Sequence, residues 1–126
     1  MLEFVNVRNS GGRAGILIRN SGLGPAFVAR SKVWIDGIHA GHLGREAVDR
    51  IRAETRANMG SLETNYGGTW VLPPGDSRFL LSVEDSVDAR EAFWSFILNR
   101  FAMEFTYDSI YGGEGYRLRY REITPD

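Results

Sequence analysis

Apolar and polar residues alternate with a period of two in segment after segment of this chain, and turns rich in glycine or proline separate the segments. Successive side chains of a strand point to opposite faces, so this alternation is the mark of half-buried strands. Leu2, Phe4 and Val5 open a first strand, which ends at the turn Asn9-Ser10-Gly11-Gly12; Ala14 to Arg19, with Ile16 and Ile18, is a second. In a third, Phe27, Ala29, Val33 and Ile35 are expected on one face and Arg30, Lys32, Trp34 and Asp36 on the other, before the turn pair Asp36-Gly37. A short strand from Thr69 to Leu72 leads to the hard turn Pro73-Pro74-Gly75-Asp76. A further strand follows, in which Phe79, Leu81 and Val83 alternate with Leu80, Ser82 and Glu84.

The last two strands predict a hairpin. With Tyr107 opposite Tyr116, Phe105 faces Leu118 and Met103 faces Tyr120 on one side, while Glu104 lies opposite Arg119 on the other. Two segments break the strand pattern. Residues 44–58 are rich in Ala, Glu and Arg and free of internal Gly or Pro, which predicts a helix whose thin apolar stripe is Val48 and Ile51. Residues 88–99 predict a second helix: Asp88 and Glu91 have capping-box spacing, and Ala92, Phe93, Phe96 and Ile97 recur at helical spacing. Six or seven mostly antiparallel strands with two helices argue for a two-layer β-sandwich.

The stretch Asn20-Ser21-Gly22-Leu23-Gly24-Pro25 has the glycine content of a phosphate loop. Such a loop needs a helix opening directly after its glycines, so that the helix N-terminus faces the anion. Here the strand-like Ala26-Phe27-Val28-Ala29 follows, and no Walker lysine or serine is present. The stretch therefore reads as a structural corner. Asn20 and Gly22 tolerate positive φ, Gly24 allows a close backbone approach, and Pro25 belongs at the start or edge of a strand.

A chain of 126 residues, 43% hydrophobic and 25% charged, fits one folded domain over residues 1–126. The net charge of −1 gives no long-range attraction to nucleic acid or to an anionic membrane surface. Fourteen of the 15 basic residues are arginine, a bias that fits a GC-rich coding sequence. The chain has no cysteine, which excludes disulfides, thiolate metal sites and cysteine nucleophiles. No apolar run approaches the length of roughly 18 residues that a membrane span requires. The strand-like opening MLEFVNV, without a leader, reads as the start of a domain taken from something longer.

A strand, then Asn20-x-Gly22-x-Gly24-Pro25-Ala26, then a long strand closing at Asp36-Gly37, resembles a group of uncharacterised bacterial proteins with an immunoglobulin-like domain. Leu72-Pro73-Pro74-Gly75 before a strand and FTYDSIYGGEGY near the end fit the same pattern. The resemblance runs from Leu2 to Tyr120 and departs at the helical insert 44–58. It implies a mainly β fold, an immunoglobulin-like antiparallel β-sandwich with two helical insertions. Members often follow an N-terminal membrane segment, which implies an extracytoplasmic, membrane-anchored setting reached through a segment outside this chain. It implies no catalytic residue and no cofactor.

The candidate sites are few. His39 and His42 form an H-x-x-H pair in a glycine-flanked loop, short of the third and fourth ligands that zinc needs, with Glu46 near in sequence. Arg117, Arg119 and Arg121 form a stripe on the outer face of the last strand, suited to an acidic partner or to pairing with Glu104. Trp34, on the polar face of its strand, is expected against the first helix or a partner. Tyr66, Trp70 and the Gly67-Gly68 loop suggest an aromatic platform for a small molecule or carbohydrate. Asp108, Glu114, Tyr107 and Tyr111 gather carboxylates and phenols in the hairpin loop, but no nucleophile and base stand at a recognisable spacing. The leading expectation is a non-enzymatic protein-interaction or self-assembly module without nucleic-acid binding; the alternative is a small-molecule or carbohydrate binder.

Overall fold

A computed structural model of the chain describes residues 1–54, 63–64, 70–84 and 87–121, with the backbone alone for 63–64. It is mainly β, with two antiparallel sheets and two helices. The strands are β1 (Leu2–Ser10), β2 (Arg13–Asn20), β3 (Ala26–Ile35), β4 (Ile38–His39), β5 (Glu63–Thr64), β6 (Trp70–Leu72), β7 (Ser77–Val83), β8 (Phe101–Asp108) and β9 (Tyr116–Tyr120). Helix α1 (Arg45–Glu54) lies between β4 and β5, and α2 (Val87–Arg100) between β7 and β8. One sheet has the order β1-β2-β7-β5; the other has the order β4-β3-β8-β9, with β6 also paired to β3.

The turns follow from residue chemistry. Gly11 and Gly12 both have positive φ (61° and 88°), as do Asp36 and Gly37 (54° and 79°), the backbone that a two-residue primed hairpin turn requires. The β6–β7 turn places Pro74 before Gly75, whose φ is 83°, and the Asp76 N–H donates to the Pro73 carbonyl at 3.1 Å, the pattern of a type II turn.

Both sheets contribute to one hydrophobic core. Ile16, Ile18, Leu81 and Val83 come from the first, and Val28, Val33, Ile35, Met103 and Phe105 from the second. Helix α2 carries the chain from β7 to β8 and buries Ala89, Phe93, Trp94, Phe96 and Ile97. Helix α1 adds Ala47, Val48 and Ile51, one residue more than the expected stripe. The remainder of the predicted helix 44–58, beyond Glu54, lies outside the described residues. Helix α2 begins at Val87, so Asp88 occupies its first turn and is not the N-cap that the capping-box spacing implies.

The hairpin register is the expected one: Met103 opposite Tyr120, Glu104 opposite Arg119, Phe105 opposite Leu118 and Tyr107 opposite Tyr116. The register shifts at three places, one in β1 between Val7 and Ser10 and two that move core residues. Val28 pairs with Tyr107 but Arg30 with Thr106, so Ala29 is an extra residue in β3. Phe27 and Ala29 therefore emerge on the exposed side, and Val28 takes the inward place expected of them. In β7, Ile16 pairs with Leu81 and Leu17 with Phe79, which makes Leu80 the extra residue; Leu80 through Val83 are all buried.

Asn20 is fully buried at the β2–β3 corner. Its amide Nδ2 donates to the carbonyls of Gly24 and Leu72, each at 2.9 Å. Its Oδ1 accepts from the Gly22 N–H at 2.9 Å and lies 3.4 Å from the Met1 nitrogen. Its backbone N–H donates to the Asp76 carbonyl, and its carbonyl accepts from the Gly75 N–H. One residue thus ties the end of β2 to the corner and to β6 through its side chain, and to the β6–β7 turn through its backbone. Among the described residues the non-glycines with positive φ are Asp36 and Arg121, and Gly22 is not among the glycines with positive φ, so neither Asn20 nor Gly22 has a left-handed backbone. At Gly22 a Cβ would collide with the Met1 nitrogen; at Gly24 it would meet nothing, so the expected close approach belongs to Gly22.

Arg100, the last residue of α2, joins three elements. Its Nε and Nη2 donate to the two carboxylate oxygens of Asp36 at 2.8 and 2.6 Å, and Nη2 also reaches Glu54 Oε2 at 2.8 Å. Its Nη1 donates to the Glu54 carbonyl at 3.2 Å, and its own carbonyl accepts from the Asp36 N–H at 2.8 Å. The hydrogen bond from Arg100, aided by its charge and that of Arg50, holds the Asp36 carboxyl below the usual carboxylate range. Those from Asp36 and Glu54 raise the Arg100 guanidinium further above its ordinary value. At the rim between the sheets, the Tyr120 hydroxyl donates to Asn6 Oδ1 at 2.8 Å, and burial pushes the phenol pKa up.

Asn20→Ala is expected to leave buried carbonyls and an N–H unpaired and to lower unfolding free energy by about 3–5 kcal/mol in urea titrations. Gly24→Ala should change it by less than about 0.5 kcal/mol. Gly15→Ala, whose Cβ would press on Leu81 and Phe79 across the β7 bulge, should cost about 1–3 kcal/mol.

Because the folded-state pKa of Asp36 is lowered, its contribution is present above the ordinary carboxylate value and lost as pH falls through the folded value. The stability difference between wild type and Asp36→Asn is therefore expected to be constant from neutrality to about pH 4 and to shrink below it. Thermal melts across that range check this.

Candidate functional site

The corner held by Asn20 forms one wall of a groove of about 540 Å³ at one end of the sheets. Leu23, Pro25 and Ala26 line this wall, and the ends of β8 and β9 with the loop between them line the other, through Tyr107, Ile110, Tyr111 and Tyr116. The Tyr107 and Tyr116 rings lie 5.4 Å apart at an interplanar angle of 38°. Leu23 is fully exposed, and Tyr111 and Ile110 are 92% and 66% exposed, although all three are large and apolar or aromatic. Large apolar side chains gathered at a rim mark a contact surface more than isolated ones do.

The β8–β9 loop holds its shape with its own polar groups. The Asp108 carboxylate accepts from the Gly115 N–H at 2.7 Å, and the Glu114 carboxylate accepts from the Ser109 hydroxyl and from the Ser109 N–H. Ser109 Oγ in turn accepts from the Tyr111 N–H at 3.2 Å. Gly112, Gly113 and Gly115 all have positive φ, which lets so short a loop close. The two carboxylates are thus turned to the loop's own groups, and what the loop offers a ligand is Ile110, Tyr111 and the tyrosine pair. This arrangement presents apolar surface beside phenol hydroxyls able to hydrogen-bond.

The expected site residues fall in separate places. Trp70 is buried in the core, its ring beneath the Arg78 guanidinium at 4.7 Å, so it is not part of an exposed aromatic platform. Tyr66 and the Gly67-Gly68 loop lie outside the described residues. Trp34 points outward and is half-buried; its cover is the His39 ring, at 5.6 Å, while α1 turns its buried stripe to the core. His39 and His42 are exposed, and the described residues contain no cluster of three His, Asp or Glu placed to hold a metal ion.

Arg117 and Arg119 do share the outward face of β9, and Arg119 Nε donates to Glu104 at 2.7 Å. Arg121 leaves that stripe. The strand ends at Tyr120, Arg121 takes a φ of 63°, and its Nη1 donates to the carbonyls of Ile97 and Phe101 at 3.2 Å each. It caps the end of α2, where carbonyls lack helical partners.

Sequence reasoning placed Tyr107 and Tyr111 in the hairpin loop but passed over Leu23, Ile110 and Tyr116 as groove residues. The available signal was an isoleucine–tyrosine pair directly before Gly112-Gly113, in a turn where neither side chain can reach the core. Comparison with protein-family models, with curated proteins and with solved structures finds no match to this chain. Among the described residues no helix is long and apolar enough to cross a membrane.

Trp70→Ala is expected to cost about 3–5 kcal/mol of stability, as removal of a buried indole does. Tyr111→Ser, at the exposed rim, should change stability by less than about 0.5 kcal/mol. Denaturant titrations of the two variants separate core from candidate surface.

Proposed function

We propose that this chain is an immunoglobulin-like β-sandwich that acts as a non-enzymatic protein-interaction module, and that its contact surface is the groove between the β2–β3 corner and the β8–β9 loop. The observation that carries the functional reading is the exposure of Leu23, Ile110 and Tyr111 around a groove whose nearby carboxylates serve the loop itself. An apolar segment of a partner protein gains burial there at about 25 cal/mol per Å² and leaves no buried charge unpaired.

The fold part of the reading is supported by the strand orders. In chain order, β1-β2-β7-β5 corresponds to the A-B-E-D sheet of an immunoglobulin domain, and β4-β3-β8-β9 to its C′-C-F-G sheet. The groove then lies between the equivalents of the B–C and F–G loops, the end that antibody variable domains use for recognition. Two hallmarks of antibody domains are missing: the chain has no cysteine for the B–F bridge, and the tryptophan of β3 faces outward. The setting, a domain of a longer membrane-attached bacterial protein, rests on the sequence resemblance alone. Burial of Trp70 removes the main support for a carbohydrate platform.

Selection of a phage-displayed peptide library against the folded chain is expected to return peptides with clustered apolar residues. Their affinity, measured by calorimetry on synthetic peptides, should drop at least about tenfold for the double variant Ile110→Ser, Tyr111→Ser, whose fold circular dichroism should show unchanged. Selected peptides that bind the double variant as well as wild type, or a selection that enriches nothing, would sink the reading.

A further inference from the structure

The outward face of β3, β8 and β9 is built of cross-strand rows, a place separate from the groove. In one row Lys32, Glu104 and Arg119 lie side by side in register. Glu104 is only 7% exposed and is bonded to Arg119, so this row holds a carboxylate between two cations. The next row repeats the pattern with one change: Arg30, Thr106 and Arg117 are in register, and a threonine stands where the first row has its carboxylate. Among the described residues no carboxylate is within ion-pair distance of Arg30, Lys32 or Arg117. Asp108, the next outward carboxylate along β8, is turned to the Gly115 N–H. A depression of about 190 Å³ lies over the row, bounded by Arg30, Ser31, Lys32, Glu104, Thr106, Gly115 and Arg117; the Glu104 carboxylate on its border is the one bonded to Arg119.

We infer that this depression is a binding site for a phosphate- or sulfate-type oxyanion, held by Arg30 and Arg117 from the two sides with the Thr106 hydroxyl between them. Strands are about 4.8 Å apart, so the two arginines leave their backbones about 10 Å apart, and their forked side chains can converge on one ion over the central strand. A tetrahedral oxyanion offers three or four acceptor oxygens to two forks and a hydroxyl, whereas a carboxylate offers two. The site is local: a net charge of −1 over the whole chain means that selection comes from these side chains and not from a long-range field. The same chemistry is supplied by the free ion or by a phosphomonoester.

Titration of the ¹⁵N-labelled chain with inorganic phosphate at fixed ionic strength is expected to move the amides of Arg30, Thr106, Gly115 and Arg117 saturably, with sulfate competing. Arg117→Gln should weaken binding about tenfold. Thr106→Glu, which rebuilds in this row the carboxylate of its neighbour, should abolish the shifts while the rest of the amide spectrum stays in place. Phosphoserine binding more tightly than inorganic phosphate assigns the site to an esterified group, and the reverse order assigns it to the free ion. Shifts that never saturate, that chloride reproduces at equal ionic strength, that acetate produces at equal concentration, or that survive Thr106→Glu overturn the inference.

Discussion

A single buried amide holds the end of the molecule where the groove lies. Asn20 has two donors and two acceptor positions, and in the folded chain its donors meet two backbone carbonyls while its oxygen meets the Gly22 N–H and the Met1 nitrogen. Leu72, whose carbonyl it reaches, belongs to β6 and so to the other sheet, which makes this one side chain a strap between the two. An aspartate has the same shape but, when ionised, only accepts, and would face two carbonyls without a proton to give. The corner therefore depends on the amide itself. Since Leu23, Pro25 and Ala26 follow directly, the wall of the groove is anchored by a core residue.

Arginine performs a related task elsewhere, and in a way that lysine does not reproduce. Arg100 reaches Asp36, the Glu54 carboxylate and the Glu54 carbonyl at once, and Arg121 spans the carbonyls of Ile97 and Phe101. A planar fork with five donors can satisfy several acceptors in fixed directions; a single ammonium on a flexible stem holds them less well. Arg8 and Arg78 also lie over the Trp94 and Trp70 rings, at 4.4 and 4.7 Å. A composition bias that fits a GC-rich coding sequence is thus also built into the way helices and turns are joined. The two explanations do not compete.

The parts of the fold legible in the sequence are those in which two strands alternate independently and must agree. The β8–β9 register follows because only one pairing puts Phe105 opposite Leu118 on the apolar side and Glu104 opposite Arg119 on the polar side. What was not legible is where alternation is broken by one residue. Neither Ala29 nor Leu80 carries a chemical mark of a bulge, yet each shifts the phase of its strand; the first sends Phe27 outward and the second lets Leu80 and Leu81 both be buried. Arg121 misled for the opposite reason, since its spacing continues the stripe of Arg117 and Arg119 although the strand has ended. Trp70 lies in a strand of three residues, too short for alternation to tell its inner face from its outer one.

Strand β8 explains why an apolar groove and a charged face occur together in so small a domain. Met103 and Phe105 point into the core, Glu104 and Thr106 point out between β3 and β9, and Tyr107 lines the groove at the strand's end. One register places all three surfaces, so a slip of one residue would exchange core and outer face together. Exposed positions escape that constraint. Ile110 and Tyr111 in the loop, and Arg117 on the edge strand β9, can change without disturbing the pairing that presents them. Either surface is therefore free to vary at its rim, while the geometry of both is set by the strand pairing and the core beneath it.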